Sequence, residues 1–104
     1  MQERRTSERV RANLNVRWEA LKAQGRGSVC DLSSSGCFVL TGGEVTAGEL
    51  LRMDLISSEG IAALWGNVVY TINEMGFAVR FVFGSEADQQ AVERIIRKRA
   101  LTEV

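Results

Sequence analysis

The chain has no histidine and only two cysteines among its 104 residues, and both scarcities limit its chemistry. Without histidine it lacks the commonest general base and the usual activator of a nucleophile. Cys30 and Cys37 are too few for a zinc site, and no histidine is present to complete one. An enzyme would have to work with carboxylates, lysine or tyrosine alone, and no nucleophile–base pair is visible among them. An enzyme is therefore the weakest option, and we predict no catalytic residue, no metal and no cofactor.

Long apolar runs are also absent, and the N-terminus is polar from Gln2 onward. The lack of long apolar runs argues against a transmembrane helix, and the polar N-terminus argues against a secretory signal. We therefore expect a cytoplasmic protein without membrane insertion. In that compartment Cys30 and Cys37 are expected to be reduced thiols packed as small hydrophobic side chains, although a disulfide across the turn between them is geometrically conceivable.

The net charge is zero, so the chain has no overall field that would attract a nucleic acid. The charges are nevertheless unevenly placed. Residues 1–26 carry seven Lys or Arg and three acidic residues, whereas residues 27–84 carry two and six. Because the excess of positive charge is confined to the N-terminal segment, that segment suits a small anionic ligand better than a long polyanion.

Apolar and polar residues alternate from Leu14 to Ala20, and this period of two indicates a half-buried strand. A hairpin turn is expected at Gln24–Gly27. Gly66 lies within a later apolar segment and indicates a bulge or the close approach of another backbone. The further strands that we expect lie at 28–32, 36–40, 50–57, 61–72 and 77–83.

The hydrophobic period changes after Ser85, which precedes Asp88 by three residues as in a capping box. Apolar residues then recur at the spacing of an amphipathic helix. Six short strands before one helix predict a mainly β fold, a small six-stranded antiparallel β-barrel with a C-terminal α-helix packed against it. A chain of this length holds one domain. We assign residues 1–12 to a flexible N-terminal arm and residues 13–104 to the barrel and helix.

The arm carries an Arg-x-x-x-Arg motif at Arg5 and Arg9, with Arg4 in front of it. Arginine presents a planar fork of donors that grips a phosphate or a guanine edge bidentately. A solvated basic segment without any ligand contains the same pattern by chance. Alone, the motif is therefore a weak signal.

A second motif, Asp-x-Ser-x-x-Gly, runs from Asp31 through Ser33 to Gly36. Asp31 can accept hydrogen bonds from a guanine or from an arginine of the arm, and Ser33 can donate one to a phosphate. Gly36 permits a positive φ, which lets the amides of a turn converge on an anion. Without any ligand, the same residues would form an ordinary Asx or Ser turn between two strands.

The order and spacing of the two motifs, with the strands and helix behind them, resemble the PilZ domain family over residues 3–100. The segment Gly76–Phe81 also resembles the late glycine-rich strand of that family. The resemblance implies a non-catalytic receptor, a β-barrel that binds the bacterial second messenger cyclic di-GMP and acts on a partner protein.

The resemblance also implies a role for each motif residue. Arg5 and Arg9 would hold phosphates and guanine edges, Asp31 and Ser33 would contact a guanine and the adjacent ligand face, and Gly36 would shape the turn. An arginine at the position of Arg4 is associated with two intercalated cyclic di-GMP molecules.

Further candidates for ligand contact are Ser34, Ser35, Trp65 and Arg80. Trp65 fits a core aromatic residue better than a base-stacking one, and Arg80 fits a solvated outer charge equally well. The implied partner is an unidentified effector protein in a motility, pilus, secretion or exopolysaccharide process, with no nucleic acid.

Two alternatives stay open. The chain fits a ligand-independent PilZ module that acts only through protein contacts, although such modules generally lack one of the two motifs. It also fits a small RNA-binding barrel, for which Trp18, Trp65 and Tyr70 offer stacking surfaces. The zero net charge argues against this second alternative.

Overall fold

The structure, a computed structural model, describes residues 9–58 and 60–102. Within them, six β-strands precede one α-helix in chain order. The strands are β1 (Val10–Glu19), β2 (Gln24–Leu32), β3 (Gly36–Leu40), β4 (Leu50–Ser57), β5 (Gly60–Ile72) and β6 (Gly76–Val82), and the helix is α1 (Glu86–Thr102).

The strands close into a barrel in the order β1-β2-β3-β6-β5-β4, and all neighbouring pairs are antiparallel. Closure gives each strand two hydrogen-bonded neighbours, which removes the open edges of a sheet. The predicted fold, a six-stranded antiparallel barrel followed by a helix, is confirmed.

Alternate residues of the strands point into the barrel and form one apolar core. On β1, Leu14, Val16 and Trp18 are buried while the residues between them are exposed. Each buried side chain of this size stabilises the fold by about 1.5–3 kcal/mol. Because a slip of one residue would turn this face toward water, the alternation also fixes the strand register. The corresponding inward residues of β6 are Phe77, Val79 and Phe81.

The predicted hairpin turn at Gln24–Gly27 is wrong, because these residues belong to β2. The chain reverses instead at residues 20–23, where the amide of Ala20 donates to the carbonyl of Ala23 at 2.7 Å. Gly25 lies opposite Trp18 in the β1–β2 register. A Cβ at Gly25 would stand 2.9 Å from Cζ2 of Trp18, so this glycine makes room for the indole rather than for a turn.

The barrel begins earlier than the assigned arm boundary at residue 12 implies. β1 starts at Val10, so residues 10–12 of the assigned arm are part of the first strand. Val10 is buried and lies opposite Leu32, which is also buried. The strand therefore starts where an apolar side chain can extend the core. Residues 1–8 of the arm, with Arg4 and Arg5, lie outside the described residues.

Gly66 on β5 meets one of the two expectations for it. It pairs regularly with Phe81, and a Cβ there would overlap the side chain of Val79 and stand 3.2 Å from the carbonyl oxygen of Arg80, so the backbone of β6 also approaches closely. The bulge of β5 falls instead at Val69, where the pairing with β6 slips before Tyr70. Val69 and Tyr70 are consequently both exposed, although they are consecutive.

Helix α1 begins after Ser85, as predicted, and the Ser85 hydroxyl accepts a hydrogen bond from the Asp88 amide at 3.3 Å. This bond satisfies one of the free amides at a helix N-terminus. Val92, Ile95 and Ile96 are buried in the core, and the helix contacts β1 and β5.

Across the described part of the chain, no helix combines the length and apolarity needed to cross a membrane.

Candidate functional site

An ion pair connects the residue before β1 to the end of β2. Arg9 directly precedes β1, and its Nη1 lies 2.7 Å from Oδ2 of Asp31. Pairing of β1 with β2 explains the approach, because Arg11 lies opposite Asp31 in the register. The two side chains of the ion pair are 66% and 36% exposed, so the pair contributes only about 0–1 kcal/mol to stability. The two motifs therefore meet through a contact that is easily exchanged.

The turn between β2 and β3 is held together by Ser33. Its amide donates to the carbonyl of Gly36 at 2.9 Å, and its hydroxyl donates to the same carbonyl at 3.4 Å. The hydroxyl also accepts a hydrogen bond from the amide of Ser35 at 3.3 Å. Since Ser33 is only 2% exposed, its hydroxyl is engaged within the turn, and Ser35 presents the exposed hydroxyl.

Gly36 is required by space rather than by a positive φ. The described glycines with positive φ are Gly48, Gly60 and Gly76, so the expectation for Gly36 is wrong. A Cβ at Gly36 would overlap the carbonyl oxygen of Val79 on β6. The glycine thus allows β3 to pair with β6 from its first residue, directly beside the turn.

A cleft of about 390 Å³ opens on the outer surface of the barrel at this turn. Arg80 of β6 lines it and is exposed, because it lies opposite Gly36 on an outward position of its strand. The structure therefore brings a third part of the chain to the two motifs. The predicted residues that line this cleft are Arg9, Asp31, Ser33, Ser35, Gly36 and Arg80.

Two other candidates lie away from the cleft. Ser34 is half-buried in the turn and is not among the lining residues. Trp65 lies on β5 between Arg52 of β4 and Val82 of β6. It is 47% exposed, so the interpretation of Trp65 as a core aromatic is wrong. Its outward position on the strand, rather than any lack of apolarity, keeps it from the core.

One side of the cleft is apolar, and the motifs gave no indication of it. The rings of Phe38 on β3 and Tyr70 on β5 lie with their centroids 6.3 Å apart. Strand alternation indicates the outward direction of Phe38, because its neighbour Val39 is buried. The bulge at Val69 turns Tyr70 outward into the cleft, and no sequence pattern marks that bulge. Such ring faces suit a nucleobase. The other apolar lining residues are Val69, Ile72, Met75, Ala78 and Val79.

Both cysteines are free thiols, in agreement with their interpretation as packed side chains. Burial raises the pKa of the Cys37 thiol well above its usual value, and the nearby carboxylate of Asp31 raises it further. Cys37 therefore stays protonated and unreactive. Cys30 is half-buried and lines the cleft.

Among the described residues, no group of three or more His, Cys, Asp and Glu is placed to hold a metal ion.

A second cleft, of about 490 Å³, lies over the outer faces of β1, β2 and β4. Its cations are offset in part by acids, since Arg17 Nη2 lies 3.2 Å from Asp54 Oδ2. Trp18 borders this cleft but is only 2% exposed, so it offers little ring surface to a base. The cleft at Asp31 has the same excess of one positive charge, but it also offers the ring surface of Phe38 and Tyr70 and is therefore better suited to a nucleotide. The charged residues of the second cleft are Arg17, Glu19, Arg26, Arg52 and Asp54.

Solved structures with similar folds include several bacterial proteins. The inhibitor of motility MotI/DgrA of Bacillus subtilis is 22% identical with a TM-score of 0.78, and the match covers 99% of this chain and 54% of that one. The PilZ domain of Escherichia coli YcgR, solved with c-di-GMP, is 17% identical with a TM-score of 0.78, covering 97% and 95%. MrkH of K. pneumonia, in its c-di-GMP complex, is 21% identical with a TM-score of 0.76, covering 96% and 53%.

The chain thus spans about half the length of MotI/DgrA and of MrkH. At these identities the likeness establishes the fold alone. No curated protein sequence matches the chain. The model of the PilZ domain, however, matches residues 3–98, which is nearly the whole sequence. The chain belongs to the PilZ domain family.

Proposed function

We propose that this protein is a cyclic di-GMP receptor that acts without catalysis as an adaptor on a partner protein. The observation that carries the proposal is the Arg9–Asp31 ion pair, which joins the two motifs at one cleft. The presence of c-di-GMP in the solved structures of YcgR and MrkH, which share this fold, supports the choice of ligand.

In the proposed complex, the ligand replaces a weak contact with stronger ones. Arg9 turns from Asp31 to a phosphodiester group, and Asp31 accepts hydrogen bonds from a guanine edge. Opening the exposed ion pair costs about 0–1 kcal/mol. Hydrogen bonds that involve a charged group contribute about 1.5–3 kcal/mol each, so the exchange favours the complex.

The other lining residues have supporting roles in this proposal. Ser35 presents a hydroxyl to the ligand, while Ser33 and Gly36 hold the shape of the turn. Arg80 supplies a cation from the barrel, and the Phe38–Tyr70 side offers ring surface to a base. Ser34 and Trp65 do not line the cleft, so we leave them out of the proposed site.

Arg4 and Arg5 complete the proposed site from the N-terminal side. We propose that Arg5 contacts phosphates and guanine edges together with Arg9, and that Arg4 favours the binding of two intercalated ligand molecules. Drawing these arginines against the barrel would change the surface that the protein offers to its effector. The processes that we propose for the effector are motility, pilus function, secretion and exopolysaccharide production.

Calorimetric titration of the full chain with cyclic di-GMP tests this proposal. Arg9→Ala and Asp31→Ala each remove one charge-assisted contact, so each should raise the Kd about tenfold or more. Asp54→Ala is a matched control, because it removes the carboxylate of the Arg17–Asp54 ion pair outside the cleft. We expect the control to bind with unchanged affinity.

Three results of the titration would count against parts of the proposal. Undiminished affinity in both Arg9→Ala and Asp31→Ala contradicts the site. No heat with the wild-type chain contradicts the receptor function and favours a ligand-independent interaction module. Binding of one ligand molecule per chain contradicts the role proposed for Arg4.

A further inference from the structure

Three large apolar side chains lie together on the outer faces of β4, β5 and β6. Leu50, Trp65 and Val82 are 51%, 47% and 43% exposed. Trp65 lies opposite Val82, and Leu50 lies opposite Asn67, two residues after Trp65. Side chains opposite each other stand about 4.5–5.5 Å apart, and diagonal ones about 7–8 Å. The three residues therefore form one surface around Trp65, which we call the Trp65 face.

Two arginines flank Trp65 on this face. Arg52 on β4 lies opposite Trp65, and Arg80 on β6 lies opposite Asn67, hence diagonal to Trp65. Among the described residues, neither arginine forms an ion pair. Glu19 lies opposite Arg52, on β1 at the border of the face. Asp54, which lies opposite Ala63, is also diagonal to Trp65, but its carboxylate pairs with Arg17. The Trp65 face is thus apolar at its centre and is bordered by two arginines without an ion pair and by one paired carboxylate.

The exposed indole of Trp65 is not explained by the fold. It contributes no surface to the barrel core, and its Nε1 donates no hydrogen bond within the described residues. Tryptophan and arginine are the residues most enriched at the centres of protein interfaces. An exposed apolar surface with a polar border is typical of an interaction site.

We propose that the Trp65 face binds the partner protein, and that the partner presents an apolar side chain flanked by carboxylates. The apolar side chain packs on Trp65, Leu50 and Val82. The carboxylates pair with Arg52 and Arg80, because burial of an arginine without a counter-charge is unfavourable. The proposal rests on the adaptor function proposed above, and Arg80 connects the two, since it also lines the cleft at Asp31.

The composition of the face favours a protein over a nucleic acid. Platforms for single-stranded nucleic acid combine several aromatic side chains with a cationic groove along the strand. The Trp65 face has one aromatic residue, and its aliphatic neighbours Leu50 and Val82 have no ring face on which a base could stack. The chain as a whole also has no net charge.

Selection of short random peptides displayed on phage tests the proposal. The full wild-type chain is the target, and Trp65→Ala is used for depletion. We expect selected sequences in which a leucine or an aromatic residue is flanked by Asp or Glu. A labelled consensus peptide should bind the wild-type chain, with a Kd about tenfold higher for Trp65→Ala and for Arg52→Glu.

Arg94→Glu is the matched control for charge reversal, because Arg94 is exposed on α1, which contributes no residue to the Trp65 face. It should leave the Kd for the consensus peptide unchanged. Circular dichroism of each variant confirms folding, which we expect because the altered side chains point outward. Selected peptides without acidic residues, or equal binding by Trp65→Ala, would overturn the proposal.

Two further measurements separate the competing explanations. Binding of a labelled oligouridylate that is lost in Trp65→Ala, without binding of the peptide, would overturn the proposal in favour of RNA. Calorimetry of Trp65→Ala with cyclic di-GMP should match the wild type, since Trp65 does not line the cleft. Failure of the docking proposal therefore appears in the peptide assay, and failure of the receptor function in the calorimetry.

Discussion

Ser33 and Gly36 show how residues of a ligand motif can act through the fold. The Ser33 hydroxyl is engaged within its own turn, with Ser35 and Gly36 as partners. Gly36 lets the turn approach the backbone of Val79. The amide of Phe81 donates to the carbonyl of Ser35 at 2.8 Å and ties the turn to β6. Both residues therefore position the exposed groups of the cleft.

Gly36→Ala tests this positional role. The added Cβ would overlap the Val79 carbonyl oxygen, and overpacking of this kind typically lowers the free energy of unfolding by about 1–3 kcal/mol. Urea denaturation measures the loss. Gly42→Ala is the matched control, because a Cβ there meets no atom within 4 Å and its φ is not positive. Equal stability of the two variants would contradict the steric role of Gly36.

Among the elements, helix α1 depends on a local signal at its start. The Ser85 hydroxyl caps the helix by accepting the Asp88 amide at 3.3 Å. The helix then covers the barrel with Val92, Ile95 and Ile96. Core packing therefore depends in part on the cap, because fraying of the first helical turn would loosen the turns that carry these buried residues.

Ser85→Ala should therefore lower the free energy of unfolding by about 1 kcal/mol, the usual effect of losing an N-cap. Thermal unfolding followed by circular dichroism measures the change. Ser85→Asp should retain most of the stability, because aspartate accepts the same hydrogen bond and its charge suits a helix N-terminus. A Ser85→Ala variant as stable as the wild type would contradict the capping role.

The elements that the sequence predicts correctly are those set by local patterns. Alternation places Leu14, Val16 and Trp18 in the core, and the spacing of Ser85 and Asp88 marks the helix start. The turn prediction fails at Gly25, because that glycine serves the packing of Trp18, a tertiary requirement. No local pattern reveals such a requirement, since it depends on which strands become neighbours.

The same limit applies to the candidate site. The second motif predicts polar residues of the cleft such as Asp31 and Ser35. The apolar side was missed because Tyr70 reaches it through the bulge at Val69, a register slip between β5 and β6. The apolar side chain of Trp65 favours a core residue, whereas its outward position on β5 makes it half exposed.

For the whole molecule, barrel closure is what makes a composite site possible. Arg9 and Asp31 are 22 residues apart in sequence and meet because β1 pairs with β2. Arg80 joins them because β3 pairs with β6. The cleft and the Trp65 face then lie side by side on one closed sheet. A ligand bound in the cleft would therefore lie next to the Trp65 face, the surface that we propose for the partner.

Amide NMR spectra of the isotope-labelled full chain, recorded during titration with cyclic di-GMP, test the central claim most directly. The claim is that the ligand binds at the Asp31 cleft. We predict the largest shift changes at residues 31–36 and at Arg80, with the amides of Arg17 and Arg26 in the second cleft unchanged. The opposite pattern, with large changes at the second cleft and none at residues 31–36, would contradict the account.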